Sequence, residues 1–164
     1  MRTGKLAVIA ALLCSIPAVA SDLPVAPNGI PYFKGYRVWP VIAPSARPDK
    51  DHIRLIFGND IAMDALRRGI RPVPDGAILA KAAWTTKKHP QFPVAVVPDK
   101  FVQVEFMVKD KVKYQATGGW GFARFVGDKL QPYGKDAGFV QECFGCHTPV
   151  KDNDFVFTHW PPVP

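Results

Sequence analysis

The chain has 164 residues, 48% of them hydrophobic, enough for one domain with a buried core. Its 21 basic and 14 acidic residues give a net charge of +7, a mild excess that suits an acidic redox partner or an anionic surface, or serves solubility alone. No basic cluster interleaves with aromatics, so a nucleic-acid partner is not expected, and no segment beyond the N-terminus approaches the length of a membrane span.

Arg2 and Lys5 precede an apolar run from Leu6 to Leu13, and Ala18-Val19-Ala20 supplies small residues before Ser21. This is the pattern of a secretory signal peptide, which predicts cleavage after Ala20 and a periplasmic protein. The run is short for a membrane anchor and lacks stop-transfer charges. A single domain is then expected over 21–164, with 19 basic residues against 14 acidic, a net charge of +5. Cleavage removes Cys14 and leaves two cysteines, Cys143 and Cys146.

Residues 21–50 hold six prolines, at 24, 27, 31, 40, 44 and 48, which leave no room for a long helix. An extended segment is expected there, with Tyr36 to Val41 as a first element. Ile53 to Phe57 reads as a short strand. Asn59 or Asp60 caps a helix to about Arg68, stopped by Gly69 and Pro72. Pro74-Asp75-Gly76 marks a turn into a strand from Ala77 to Trp84. On that strand Leu79, Lys81 and Ala83 share one face, and Ile78, Ala80, Ala82 and Trp84 the other. Lys87-Lys88-His89 reads as a basic surface loop. From Phe101 to Lys109, Val102, Val104, Phe106 and Val108 face one side, opposite Gln103, Glu105, Met107 and Lys109, the pattern of a half-buried strand. Gly118-Gly119 turns into another strand through Phe125. Asp136 caps a last helix that runs from about Ala137 into the cysteines, and the proline-rich tail is irregular. The expected class is α+β and β-rich, an antiparallel sheet with two or more short helices.

Cys143-Phe144-Gly145-Cys146-His147 is a Cys-x-x-Cys-His motif near the C-terminus. Its chemistry is that of haem attachment. Two thiols add to the two vinyl groups, and the adjacent imidazole reaches the iron. A thioredoxin-like Cys-x-x-Cys sits early, after a strand. A zinc site needs two more ligands, and His159 is the only histidine nearby. In an exported chain a structural disulfide is the remaining alternative. The motif therefore predicts one covalent haem c per chain on Cys143 and Cys146, with His147 on the iron. Seventeen residues follow His147 and none is methionine, unlike small electron-transfer cytochromes, whose motif lies near the N-terminus with a methionine ligand far downstream. Cytochromes c′ carry a C-terminal motif, but the prolines and alternating strands of this chain do not make their four long helices.

The ordered set of Phe57-Gly58-Asn59-Asp60-Ile61-Ala62, Pro74-Asp75-Gly76-Ala77-Ile78-Leu79-Ala80-Lys81, Lys109-Asp110, Gly118-Gly119-Trp120-Gly121-Phe122 and the haem motif resembles the cytochrome P-460 family and its sister group, the β-sheet cytochromes c′. In the P-460 branch, a lysine on the strand after Pro-Asp-Gly is bonded to the porphyrin edge. In the sister group a phenylalanine stands there. This sequence has Lys81. The resemblance therefore implies a lysine-modified haem and oxidation of hydroxylamine or a related small nitrogen species. It also implies a soluble cytochrome as electron acceptor and a homodimer. The alternative is a non-catalytic cytochrome of the β-sheet c′ type, which binds nitric oxide or transfers electrons.

The residues themselves leave several roles open. Lys81 sits among Leu79, Ala80, Ala82 and Ala83, where burial would favour a neutral, nucleophilic amine; alternation alone favours an outward-facing lysine, and the resemblance reverses that preference. Glu105 is either a carboxylate beside the substrate, able to take protons, or a solvent-facing glutamate. Arg124 pairs either with a haem propionate or with a surface carboxylate. His52 stands where the family has a pocket aromatic nearby, and reads as a pocket group or an exposed loop residue. Met63 or Met107 as a sixth iron ligand would support an electron shuttle.

Overall fold

The computed structural model describes residues 23–162; the signal peptide expected at 1–20 lies outside them. Six antiparallel strands lie side by side in chain order. They are β1 (Val41–Arg47), β2 (His52–Gly58), β3 (Ile78–His89), β4 (Phe92–Lys109), β5 (Trp120–Val126) and β6 (Gln131–Pro132). Helix α1 (Asp60–Arg67) joins β2 to β3, and α2 (Val140–His147) follows the sheet and carries the Cys-x-x-Cys-His motif. This is the β-rich α+β architecture that the sequence predicts. Among the described residues no helix is long and apolar enough to cross a membrane.

Proline accounts for the elements that sequence pattern missed. β1 contains Pro44 but is the edge strand, where a missing N–H leaves no ladder partner unsatisfied. β3 and β4 extend well past the expected Trp84 and Phe101. Thr86 to His89 pairs with Phe92 to Pro98 in a long hairpin, so Lys87-Lys88-His89 is strand and not loop. β4 tolerates Pro93 and Pro98 because β5 pairs only with Gln103 to Lys109, which leaves the outer half of β4 a free edge. The segment expected as a first element from Tyr36 divides between a 3-10 turn (Lys34–Val38) and β1.

The two faces of the sheet are covered by different material. Ala80, Ala82, Val104, Phe106, Ala123 and Phe125 pack against Ile30, Tyr32 and Tyr36 of the proline-rich N-terminal segment. Tyr32 meets Phe106 and Phe125 edge to face, with centroids 5.9 and 5.5 Å apart. On the opposite side, Leu79 and Phe122 pack with Ala62, Ala65 and Leu66 of α1, Cys143 of α2 and Val156 of the tail.

Asn59 fastens α1 to the start of β3. Its carboxamide oxygen accepts from the N–H groups of Ala62 and Ile78, each at 3.0 Å, and its nitrogen donates to the Gly76 carbonyl at 2.8 Å. One side chain thus caps the helix and closes the Pro-Asp-Gly turn that aims β3. Asn59→Ala should lower stability by about 2 kcal/mol, the upper end for loss of a cap, because two further polar partners lose their bond. A urea midpoint unchanged from wild type would show that the cap is redundant.

Candidate functional site

Strand register brings charged groups from distant parts of the chain into one row. Ile56 of β2 faces Lys81 of β3, Lys81 faces Glu105 of β4, and Glu105 faces Arg124 of β5. The two-residue period adds Arg54, Ala83 and Gln103 on one side of this row, and Leu79, Met107 and Phe122 on the other. This sheet face, α2 and the segment from Val156 to His159 enclose a cavity of about 1010 Å³. That is at the top of the range of about 300–1,000 Å³ usual for small-molecule and cofactor sites.

α2 continues a 3-10 turn, Ala137–Phe139, capped by the Asp136 side chain, which accepts from Gly138 N–H at 2.7 Å. Cys143, Cys146 and His147 stand at i, i+3 and i+4, so they share a helix face, and all three line the cavity. Both thiols are free, Cys143 buried and Cys146 exposed. Burial pushes the Cys143 thiol up, against the pull of Arg124. The His147 ring lies between Phe122 and Phe157, with centroids 5.2 and 5.1 Å away. Its Nδ1 is 2.7 Å from the Phe155 carbonyl oxygen. A carbonyl only accepts, so Nδ1 carries the proton and Nε2 keeps its lone pair for a metal. Burial holds the imidazole below its ordinary pKa, opposed by the bond to Phe155. Two thiols and one imidazole lone pair on a single helix face, opening on a cavity walled by Ile56, Leu79, Phe122 and Phe157, fit a haem. Among the described residues no cluster of three or more His, Cys, Asp or Glu could hold a zinc ion.

Lys81 and Glu105 both line this cavity and form an ion pair, with side chains 33% and 19% exposed. The other carboxylate oxygen of Glu105 accepts from Arg124 Nε at 3.0 Å. Glu105 is therefore not solvent-facing. Burial alone would raise its pKa, but the Lys81 ammonium and the Arg124 guanidinium outweigh it and hold the carboxyl below its ordinary value. Arg124 lines the cavity too, with Glu142 at 3.7 Å and the Tyr133 ring 4.3 Å beneath its guanidinium.

The remaining candidates separate cleanly. His52 opens β2 and lines the cavity, and is not a loop residue. His89 ends β3 at the hairpin tip, where its Nδ1 accepts from Gln91 N–H at 3.2 Å, away from the cavity. Met107 lines the cavity, whereas Met63 packs against the core from α1. Sequence reasoning missed Arg54, Phe157 and His159 in the cavity wall. Alternation from His52 through Arg54 to Ile56 was the available signal for Arg54, which donates to Ser45 Oγ at 2.6 Å. Nothing periodic marks the two tail residues.

Removing the central carboxylate tests the charged row. Glu105→Gln leaves Lys81 and Arg124 facing one another without an anion and should cost about 2 kcal/mol at neutral pH. The folded pKa of Glu105 lies below its unfolded value of about 4.3, so its stabilisation is complete above that value and is lost as pH falls through the folded one. In urea titrations the gap between wild type and variant should hold steady above about pH 5 and narrow progressively as pH falls through the folded value. A gap that persists in acid would exclude an ionised Glu105.

The family model for cytochrome P460 matches residues 33–158. No curated protein matches the chain. The matched span takes in all six strands, both helices and every cavity residue named above except His159. The chain belongs to the cytochrome P460 family, a family of c-type haem proteins.

Proposed function

We propose that this protein holds one haem covalently through Cys143 and Cys146, with His147 on the iron and Lys81 bonded to the porphyrin, and that it oxidises hydroxylamine or a related small nitrogen species. The observation that carries this reading is Lys81 on the cavity wall, ion-paired with Glu105, across from the thiols and imidazole of α2. When bound, haem supplies an iron that ligates the substrate nitrogen and accepts its electrons. Phe122 and Phe157 flank His147 and restrict the rotation of its ring. Arg124 holds one oxygen of Glu105 and so fixes the carboxylate toward Lys81.

Glu105 has two tasks in this scheme. Bonding of Lys81 to the porphyrin starts from a neutral amine, and the ion-paired carboxylate is close enough to take the ammonium proton. The new bond would replace an N–H and a C–H, and a two-electron oxidant of the peroxide class would take up the two electrons and two protons and leave as water. In turnover, substrate oxidation releases protons as electrons depart, and Glu105 is the carboxylate on the cavity wall placed to receive them. Arg124 has five N–H donors, so its two carboxylate neighbours leave it capacity for a haem propionate. The signal-peptide pattern supports a periplasmic setting, with a small soluble cytochrome as electron acceptor. The family resemblance supports a homodimer.

One observation favours a second reading. Met107 lines the same cavity as His147, and its thioether as sixth ligand would close the iron and make an electron shuttle. Purified wild type should keep its haem through acid-acetone extraction, show a strongly red-shifted ferrous Soret band, and yield a Lys81 peptide joined to haem. Lys81→Ala should retain both thioether bonds yet lose the cross-link and roughly 10²-fold in hydroxylamine-dependent reduction of an artificial acceptor. Wild-type rates in that variant would remove the enzyme reading. A low-spin resting spectrum abolished by Met107→Ala would install the shuttle instead.

A further inference from the structure

Lys109 ends β4 with its side chain only 2% exposed, inside the protein and outside the cavity. Its ammonium lies 2.8 and 3.0 Å from the two carboxylate oxygens of Asp154, which is 10% exposed. It also donates to the Gly118 carbonyl at 3.2 Å and lies 4.8 Å from the centre of the Trp120 ring. A buried ion pair of this kind seldom repays its desolvation in stability, so a use beyond stability is worth seeking.

The use lies one residue further on. Asp154 and Phe155 both adopt left-handed backbone, with φ of 53° and 62°, which costs a non-glycine residue about 1 kcal/mol each. That turn is held from several sides. Asp154 accepts from Val73 N–H at 2.8 Å, and its backbone carbonyl accepts from the Trp120 indole at 2.8 Å. The Phe155 ring occupies the space beside Gly118, where a Cβ would come within 2.2 Å of it. The carbonyl that emerges from this turn is that of Phe155, the acceptor for His147 Nδ1.

We infer that the Lys109–Asp154 pair is a positioning device for the proximal imidazole. It bolts the 154–155 turn to β4 and β5, and thereby fixes the distance and direction of the Nδ1–H···O bond that sets the basicity of His147. This rests on His147 being the iron ligand. A firm Nδ1–H···O bond makes the ring a stronger donor and favours ferric iron; a loosened one weakens the iron–nitrogen bond and favours ferrous iron.

The test uses the haem-loaded protein and four variants. Asp154→Asn and Lys109→Met break the pair, Trp120→Phe removes the donor to the Asp154 carbonyl while keeping an aromatic ring beside Lys109, and Asn59→Ala destabilises the fold elsewhere as a control. The first three should keep both thioether bonds, lower the ferrous iron–histidine stretching frequency in resonance Raman spectra, and raise the midpoint potential. Asn59→Ala should lose stability with neither readout moved. Wild-type frequency and potential in the pair variants would overturn the inference and leave the pair a purely structural contact. If those two fail to mature with haem, Trp120→Phe decides by the same two readouts. A wild type with no thioether-bound haem, or with no iron–histidine stretch, overturns the inference together with the reading beneath it.

Discussion

Successive side chains of a strand leave on opposite sides, and the charged groups of the cavity wall, Lys81, Glu105 and Arg124, inherit their places from that rule. Lys81 lies between Ala80 and Ala82, which are fully buried among Tyr32, Tyr36, Phe106 and Phe125. A slip of one residue in the pairing of β3 would drive the ammonium into that aromatic layer and turn two alanines toward the cavity. An unpaired charge there would cost several kcal/mol, so the register that delivers Lys81 to Glu105 is the register the core enforces. The small alanines have a second effect. They let the proline-rich N-terminal segment lie close on the sheet, with its tyrosines filling the space that larger strand residues would occupy.

β4 is the element on which both halves of the site converge. Glu105 and Lys109 stand four residues apart on one face of that strand, and each is a charge removed from water and matched by an opposite one. Glu105 looks into the cavity, where two cations keep it ionised. Lys109 looks away from it, to Asp154 and the turn behind the imidazole. Neither arrangement is an economical way to stabilise a fold, since well-packed apolar side chains would serve as well or better. Together they tie the wall that carries Lys81 and the support that carries His147 to a single strand, so the two cannot drift independently.

How much of this was legible follows from what is local. The valines of β4, the glycine turn into β5, the Asn59 cap and the helix into the haem motif each announce themselves within ten residues, and each was found where expected. β1 was hidden by Pro44 and the outer hairpin by Pro93 and Pro98, because the sequence does not say which strand edges lack a partner. The face carrying Gln103, Glu105, Met107 and Lys109 reads as a wet one. It is covered because α2 and the tail fold back over it, a fact set by packing and not by periodicity. Lys109 and Asp154 are 45 positions apart, and Asp154 sits in a stretch with no repeating pattern at all.

The tail that reads as irregular is irregular for a reason the site supplies. With the haem motif at the end of α2, the acceptor for His147 Nδ1 comes from the chain that follows it and turns back. A helix or a paired strand commits its carbonyls to its own hydrogen bonds. The tail first makes a 3-10 segment, Thr148–Asn153, and then leaves regular structure through two left-handed residues. There the Phe155 carbonyl faces the imidazole, and the anchored turn keeps it in place. The short run after the motif is therefore the part of the site that periodicity describes least and that the proximal ligand needs most.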